Sequence, residues 1–306
     1  MRFPVKPWHL AAVVVVVCAA VVAALYLHRM RGGASATDLV SYLPADATQV
    51  YIDVDAIRRS GILNMLAGSK ATEEVDYKQF VDATLFDYRQ DLEAVAASFK
   101  DGQVFLALRG HFHWKNVMDY AVHQGGSCHN GFCVMAGSRP NRRISFYALK
   151  PNVMAMAVSP DDFAAYQVSR KSRKPAFTPP AQPIWAIVPV LALEKAGSLP
   201  DGVKPYVAAL GNAEQALFAL GGEGDHLQLT VDVACRDSQA ASTLLVSLED
   251  ATNTLRKRIA SEHRAADASD LSGVLVAGSF RRDDRRVYGQ WPIARAFVDA
   301  VAGGAL

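Results

Sequence analysis

The stretch between residues 111 and 133 carries the densest cluster of reactive side chains in the sequence. Imidazoles and thiolates are suitable ligands for Zn²⁺ or Cu⁺, and two thiols can instead form a disulfide. The candidates are His111, His113, His123, Cys128, His129 and Cys133. Two kinds of chemistry therefore come into question, a disulfide bridge and a metal site.

The Asn130-Gly131 pair between the two cysteines predicts a two-residue hairpin with a type I′ turn. In that register His129 lies opposite Phe132. Cys128 lies opposite Cys133 in a non-hydrogen-bonded pair, where the two Cα atoms approach to about 4.5 Å. A disulfide tolerates this separation. In an oxidising compartment we expect a Cys128–Cys133 bridge that fixes a local hairpin.

A metal site is the alternative for the same cluster. His111 and His113 alternate along an extended segment, so both imidazoles could point to one side. The spacing is unspecific, because Cys-x-x-Cys, His-Glu-x-x-His and the haem-binding Cys-x-x-Cys-His are all absent. We predict no cofactor and keep the metal site as the alternative.

Recognisable catalytic motifs are missing from the sequence. There is no Gly-x-Ser-x-Gly, no Walker A motif and no dinucleotide fingerprint. Cys235 is predicted to be a free, partly buried thiol, and Asp53 and Asp55 to be strand-end residues. The run Arg281–Arg286 is interpreted as a charged, solvated hairpin tip. A hydrolase with a site assembled from distant residues stays an alternative, and the sequence does not decide whether the chain is an enzyme.

Composition limits the class of protein that positions these residues. The chain has 306 residues, of which 51% are hydrophobic and 20% charged, as in globular proteins. Its net charge of +2 argues against a dedicated nucleic-acid binder, which needs a concentrated basic face. We therefore expect no nucleic-acid partner.

The uncharged apolar run Leu10–Leu27 predicts a membrane-spanning helix. Eighteen residues at a rise of about 1.5 Å each span about 27 Å, close to the thickness of a hydrocarbon core. We expect a tail at residues 1–9, a signal anchor at 10–28 that contacts the bilayer, and a juxtamembrane linker at 29–37. The expected location is the inner (cytoplasmic) membrane, single-pass, with the body periplasmic or otherwise extracytoplasmic.

The segment after the anchor resembles a known group of sequences. Residues Tyr42–Thr48 read YLPADAT, and an apolar strand at Val50–Val54 follows. This resembles the opening of bacterial membrane-anchored families of unknown function, which place an LPADA-like turn just after an N-terminal anchor. The resemblance implies an extracytoplasmic location and carries no catalytic residues.

The body divides into two similar halves. Residues 170–183 are rich in proline and basic residues and predict a solvated linker between 38–169 and 184–306. Val54–Leu63 aligns without gaps with Val190–Leu199, and both follow an apolar strand. A duplication would explain the similarity.

Hydrophobic periodicity predicts the elements of each half. Both halves are expected to end in a hairpin followed by a helix with a proline in its first turn, Pro160 or Pro292. The other predicted strands are Gln103–Arg109, Gln215–Leu220 and His226–Ala234, and the predicted helices are Tyr77–Leu85, Asp91–Phe99, His113–His123 and Ser238–His263. The hairpins are Ile144–Leu149 with Val153–Val158, and Val274–Phe280 with Arg286–Gln290.

Together these patterns predict an α+β fold: a single N-terminal transmembrane helix, then two similar α+β halves with mainly antiparallel sheets. The predicted function is a membrane-anchored extracytoplasmic protein, a non-enzymatic binding or structural component of the envelope with an envelope protein as partner. A metal-binding envelope protein that uses the His111–Cys133 cluster is the first alternative, and the hydrolase is the second.

Overall fold

The computed structural model describes most of the body of the chain. The described residues are 36–44, 47–60, 75–139, 141–169, 177–189, 203–223, 226–262 and 265–302. The predicted anchor at 10–28 and the Val190–Leu199 segment lie outside them. Within the described ranges, no helix is long and apolar enough to cross a membrane.

The described strands form one sheet of twelve strands, in the order β11-β12-β10-β9-β8-β1-β2-β3-β7-β6-β5-β4. Every neighbouring pair is antiparallel. The strands are β1 Thr48–Asp53, β2 Leu92–Lys100, β3 Gln103–Gly110, β4 Ser127–His129, β5 Phe132–Ala136, β6 Arg143–Lys150, β7 Val153–Ser159, β8 Ile184–Pro189, β9 Ala213–Glu223, β10 His226–Cys235, β11 Ser279–Asp283 and β12 Arg286–Ile293.

The expected α+β class with a mainly antiparallel sheet is confirmed, but the two halves share one sheet. Strand β1 pairs with β8, and Tyr51 lies directly opposite Trp185. Their rings stack with centroids 5.4 Å apart, and Trp185 is 1% exposed. The first strands of the two halves therefore meet in a common core.

Helices pack against both faces of this sheet. We call the face that carries Tyr51 and Trp185 the front face, and the opposite face the back face. The helices are α1 Ala36–Ser41, α2 Val54–Arg59, α3 Val75–Thr84, α4 Tyr88–Asp91, α5 Trp114–His123, α6 Lys204–Ala209, α7 Ser238–Ser261, α8 Leu271–Val276 and α9 Arg295–Ala302, with 3-10 turns at Ala164–Gln167 and Leu210–Asn212.

The long helix α7 covers the back face of the second half. Asp237 begins it, because its carboxylate accepts a hydrogen bond from the Ala240 amide at 2.7 Å. Its buried Leu244 and Leu248 pack against Val231 and Val233 of β10. The helix predicted from Ser238 is thereby confirmed, as are the α3 and α5 helices.

The helix predicted at Asp91–Phe99 is wrong, because these residues form β2. Alanine, leucine and glutamate favour helix locally, but β2 is paired on both sides, with β1 and β3. Ala96 and Ala97 face opposite sides of the sheet and are 0% and 6% exposed. Small residues suit a central strand that is covered on both faces, and this packing overrides the local preference.

The ends of the halves also differ from the prediction. Pro292 lies inside β12, opposite Gln228, and α9 begins after it. Strand β11 pairs with β12 only as far as Gln290, so Pro292 lies where one edge of β12 has no partner strand among the described residues, and proline is tolerated there. Val274 belongs to α8, and only a 3-10 turn follows Pro160.

Candidate functional site

The predicted cysteine hairpin is present as strands β4 and β5. Asn130 and Gly131 have φ angles of 51° and 79°, as a type I′ turn requires. Cys128 lies opposite Cys133, with a Cα–Cα distance of 4.1 Å and a disulfide between the two sulfurs. The disulfide prediction is confirmed, and the bridge joins residues only five apart.

The four histidines of the cluster do not converge on the disulfide. His111 follows β3, with its Nε2 atom 3.8 Å from Glu93 Oε1. His113 precedes α5, and His123 at the end of that helix has Nδ1 2.7 Å from the Asp119 carbonyl oxygen. His129 lies on β4 opposite Phe132.

The alternative metal site therefore finds no ligand set in the described part of the chain. Both thiols of the cluster are used in the disulfide. No three His, Cys, Asp or Glu residues among those described lie close enough together to hold a metal ion. The structure joins Cys128 to Cys133 but brings no three of the six candidates together around one point.

The remaining reactive residues have structural roles. Asp53 caps α2 by accepting a hydrogen bond from the Ala56 amide at 2.8 Å, and Asp55 pairs with Arg58. Cys235 is a free, buried thiol at the end of β10. Burial raises its pKa, with smaller contributions from Asp237 and Glu214. Asp53 and Cys235 thus match the predicted strand-end acid and free thiol, whereas Asp55 lies in the first turn of α2 and not at a strand end.

A polar surface on the front face of the second half is not among the features predicted from the sequence. There the sheet forms a groove with a volume of about 430 Å³. The polar side chains at this surface come from strands β10, β11 and β12 and from the segment before β8. The residues with polar side chains that line the groove are Gln182, Thr230, Asp232, Ser279, Arg281, Tyr288 and Gln290.

A paired charge lies at one end of the groove. Arg286 donates two hydrogen bonds to Asp232, with Nε–Oδ1 at 2.9 Å and Nη2–Oδ2 at 2.6 Å. The hydrogen bonds to Asp232 raise the pKa of the Arg286 guanidinium. This two-bond geometry holds the carboxylate in one orientation and neutralises its charge.

A second arginine enters the groove from the edge strand. The Cζ atom of Arg281 lies 4.0 Å from the ring centroid of Tyr288, a cation–π contact between neighbouring strands. In the ranges that the structure describes, Arg281 forms no ion pair with an acidic side chain. Its guanidinium is thus positioned by an aromatic ring and has no ion-pair partner among the described residues.

Neutral hydrogen-bonding groups complete the surface. Gln290 accepts a hydrogen bond from Gln228 at 3.2 Å through its carbonyl oxygen, which leaves its amide NH₂ group for other partners. The Thr230 hydroxyl donates to the Ala219 carbonyl at 3.2 Å and can still accept. The described lining carries no histidine, cysteine or lysine, so its chemistry is that of binding by charge and hydrogen bonds.

Alternating polarity could have revealed this surface in the sequence. Thr230 and Asp232 alternate with the apolar residues of β10, and Tyr288 and Gln290 alternate with the buried residues of β12. Such alternation is typical of strands with one solvated face.

Comparison with known proteins gives a likeness in fold. No family model and no curated protein matches the chain. Among solved structures, crystal form III of TP0453 is similar at 9% identity with a TM-score of 0.51, covering 88% of this chain and 99% of that one. Crystal form IV gives 10% identity and a TM-score of 0.48, covering 87% and 97%. The chain thus shares its overall fold with TP0453.

Proposed function

We propose that this chain is a membrane-anchored extracytoplasmic protein that binds a ligand in the front-face groove of its second half, without catalysing a reaction. The groove, into which three neighbouring strands of the sheet bring polar side chains, is the observation that carries the proposal. The apolar run Leu10–Leu27 supports the anchor at 10–28, and the Cys128–Cys133 bridge favours an oxidising compartment.

We further propose that the two halves, 38–169 and 184–306, arose by duplication. The order β1-β2-β3-β7-β6 in the first half corresponds strand for strand to β8-β9-β10-β12-β11 in the second. The two series meet in antiparallel orientation at β1 and β8, where Val50 lies opposite Ala186. An approximate two-fold axis near this pair would relate the halves, with the β4–β5 hairpin as an addition to the first.

The contrast between corresponding strands supports a binding role for the second half. On the front face of β7, Ala155 and Ala157 are fully buried. They belong to a core that includes Leu39 of α1 and Ala164 of the 3-10 turn. The corresponding strand β12 carries Arg286, Tyr288 and Gln290 on that face. One half thus closes this face with apolar packing, while the other presents polar groups around a groove.

A groove-filling variant tests the binding role. Thr230→Trp places an indole in the groove, and Val246→Trp adds the same ring at a position of α7 that is 55% exposed. We would measure the thermal midpoint of the full-length protein in detergent against a panel of sugars, amino acids and organic acids. At least one class is expected to raise the midpoint of the wild type and Val246→Trp but not of Thr230→Trp.

Two results would count against the binding role: a panel without any stabilising compound, or equal stabilisation of both variants.

The extracytoplasmic location is tested separately, with alkaline phosphatase fused after Leu306, because this enzyme is active only when it is exported. We expect activity on intact cells. Activity of a cytosol-only reporter at the same position would overturn the extracytoplasmic location.

A further inference from the structure

We infer that the groove binds a small sugar acid whose carboxylate pairs with Arg281. This inference rests on the proposed binding role of the groove and gives its ligand a chemical class. Three properties of the lining lead to it: an arginine without an ion-pair partner among the described residues, the restricted orientation of its guanidinium, and a set of neutral groups that both donate and accept hydrogen bonds.

The charge balance of the groove favours a singly charged anion. The charged residues that line it are Asp232 and Arg281. Asp232 already accepts two hydrogen bonds from Arg286, so Arg281 is the charged residue of the described lining that has no ion-pair partner. Asp283, on the same strand as Arg281, does not line the groove. A ligand with one negative charge therefore complements the described lining.

The placement of Arg281 favours a carboxylate as that anion. A guanidinium is a planar fork that matches the two oxygens of a carboxylate with parallel hydrogen bonds. The contact with Tyr288 at 4.0 Å restricts the guanidinium before a ligand arrives. Pre-organisation of this kind lowers the entropic cost of binding.

The rest of the groove suits a polyhydroxylated molecule. The hydroxyls of Thr230 and Ser279 and the amides of Gln182 and Gln290 can each donate and accept, as sugar hydroxyls do. Leu217 supplies an apolar surface for the carbon skeleton. The volume of about 430 Å³ lies within the usual range of small-ligand sites, about 300–1,000 Å³.

Calorimetric titration of the full-length protein in detergent with glucuronate tests this inference. Glucose provides the same ring without the carboxylate, and inorganic phosphate provides an anion without the ring. We expect glucuronate to bind at least tenfold more tightly than either. Arg281→Gln should weaken glucuronate binding at least tenfold, and Arg281→Lys should weaken it less, because it keeps the charge but loses the fork.

Arg285→Gln is the matched control, since Arg285 lies at the exposed hairpin tip beside Asp284 and outside the groove. It should leave the affinity for glucuronate unchanged. The thermal midpoint of each variant without ligand verifies that it is folded. Equal loss of affinity in the Arg281 and Arg285 variants would indicate a general charge effect and overturn the assignment of Arg281.

The other outcomes separate this inference from the proposed function. Equal affinity for glucose, or no glucuronate binding while other compounds stabilise the protein through the groove, overturns the sugar-acid inference and leaves the binding role in place. Equal affinity for phosphate replaces it with a simple anion site. If glucuronate binds Thr230→Trp as well as the wild type, its site lies elsewhere and the sugar-acid inference is wrong. The binding role of the groove is then decided separately, by the thermal midpoints of Thr230→Trp and Val246→Trp across the panel.

Discussion

We expect Trp185 to couple the two halves, so that they unfold in a single cooperative transition. It lies on β8 directly opposite Tyr51 of β1 and is 1% exposed. Besides stacking on Tyr51, it contacts Phe177 edge-on, with ring centroids 5.3 Å apart. Trp185→Ala removes the indole from this junction and leaves a cavity.

We expect Trp185→Ala to lower the free energy of unfolding by about 4 kcal/mol, the middle of the range for large aromatic residues replaced by alanine. At about 1.4 kcal/mol per tenfold change, this lowers the folding equilibrium constant by roughly a thousandfold. Urea unfolding of the full-length protein, followed by far-UV circular dichroism, measures the change. Because the core is common to both halves, the whole transition should shift together.

Two further variants sharpen the test. Trp114→Ala makes the same change at a partly exposed site, where the indole N–H donates to the Pro151 carbonyl at 2.8 Å. It should lower the free energy of unfolding by about 2 kcal/mol or less. Trp185→Phe should cost less than half as much as Trp185→Ala. The buried Trp185 N–H has no hydrogen-bond partner among the described residues, so its removal offsets part of the lost burial.

A biphasic urea curve would refute this reasoning. If Trp185→Ala destabilised only one transition and left another at its wild-type midpoint, the halves would unfold independently. Equal losses in Trp185→Ala and Trp114→Ala would likewise show that the junction contributes no more than a partly exposed contact.

Three other measurements address individual elements. Asp237→Ala removes the cap of α7 and should cost about 1 kcal/mol in urea unfolding, whereas Asp237→Asn should retain most of the stability. The Cys128→Ser/Cys133→Ser double variant should lose about 2 kcal/mol of the free energy of unfolding, because the loop that the disulfide closes is short. A loss above about 4 kcal/mol would contradict a purely local role of the disulfide. Burial raises the pKa of the Cys235 thiol in the folded protein, so only the unfolded thiol ionises as the pH rises past about 8.5. The free energy of unfolding should therefore fall above this pH, and it should fall less in Cys235→Ala. Identical pH profiles of the wild type and Cys235→Ala would contradict this prediction.

The sequence predicts best the elements that depend on neighbours along the chain. The Asn130-Gly131 turn sets its own register, because few dipeptides adopt two positive φ angles, and the position of the disulfide follows from it. The start of α7 is equally local, since the Asp237 carboxylate caps an amide three residues away.

Elements set by distant partners were not predictable in the same way. Strand β2 has a helix-favouring composition and becomes a strand through its pairing with β1 and β3. The groove combines Arg281, Asp232 and Gln182 from three separate parts of the chain. The arginine-rich tip has the composition of a solvated turn, and the contact of Arg281 with Tyr288 depends on the β11–β12 register, which composition does not specify.

The pairing of β1 with β8 predicts how the first half, residues 38–169, would behave if it were separated from the second. Without β8, one side of β1 would expose unpaired backbone groups, and Tyr51 would lose its stacking partner. A second copy of the same half could supply a strand in the same antiparallel orientation, so an isolated half is expected to form a two-fold dimer. Joining two such halves in one chain would replace an association that depends on concentration with a contact that does not.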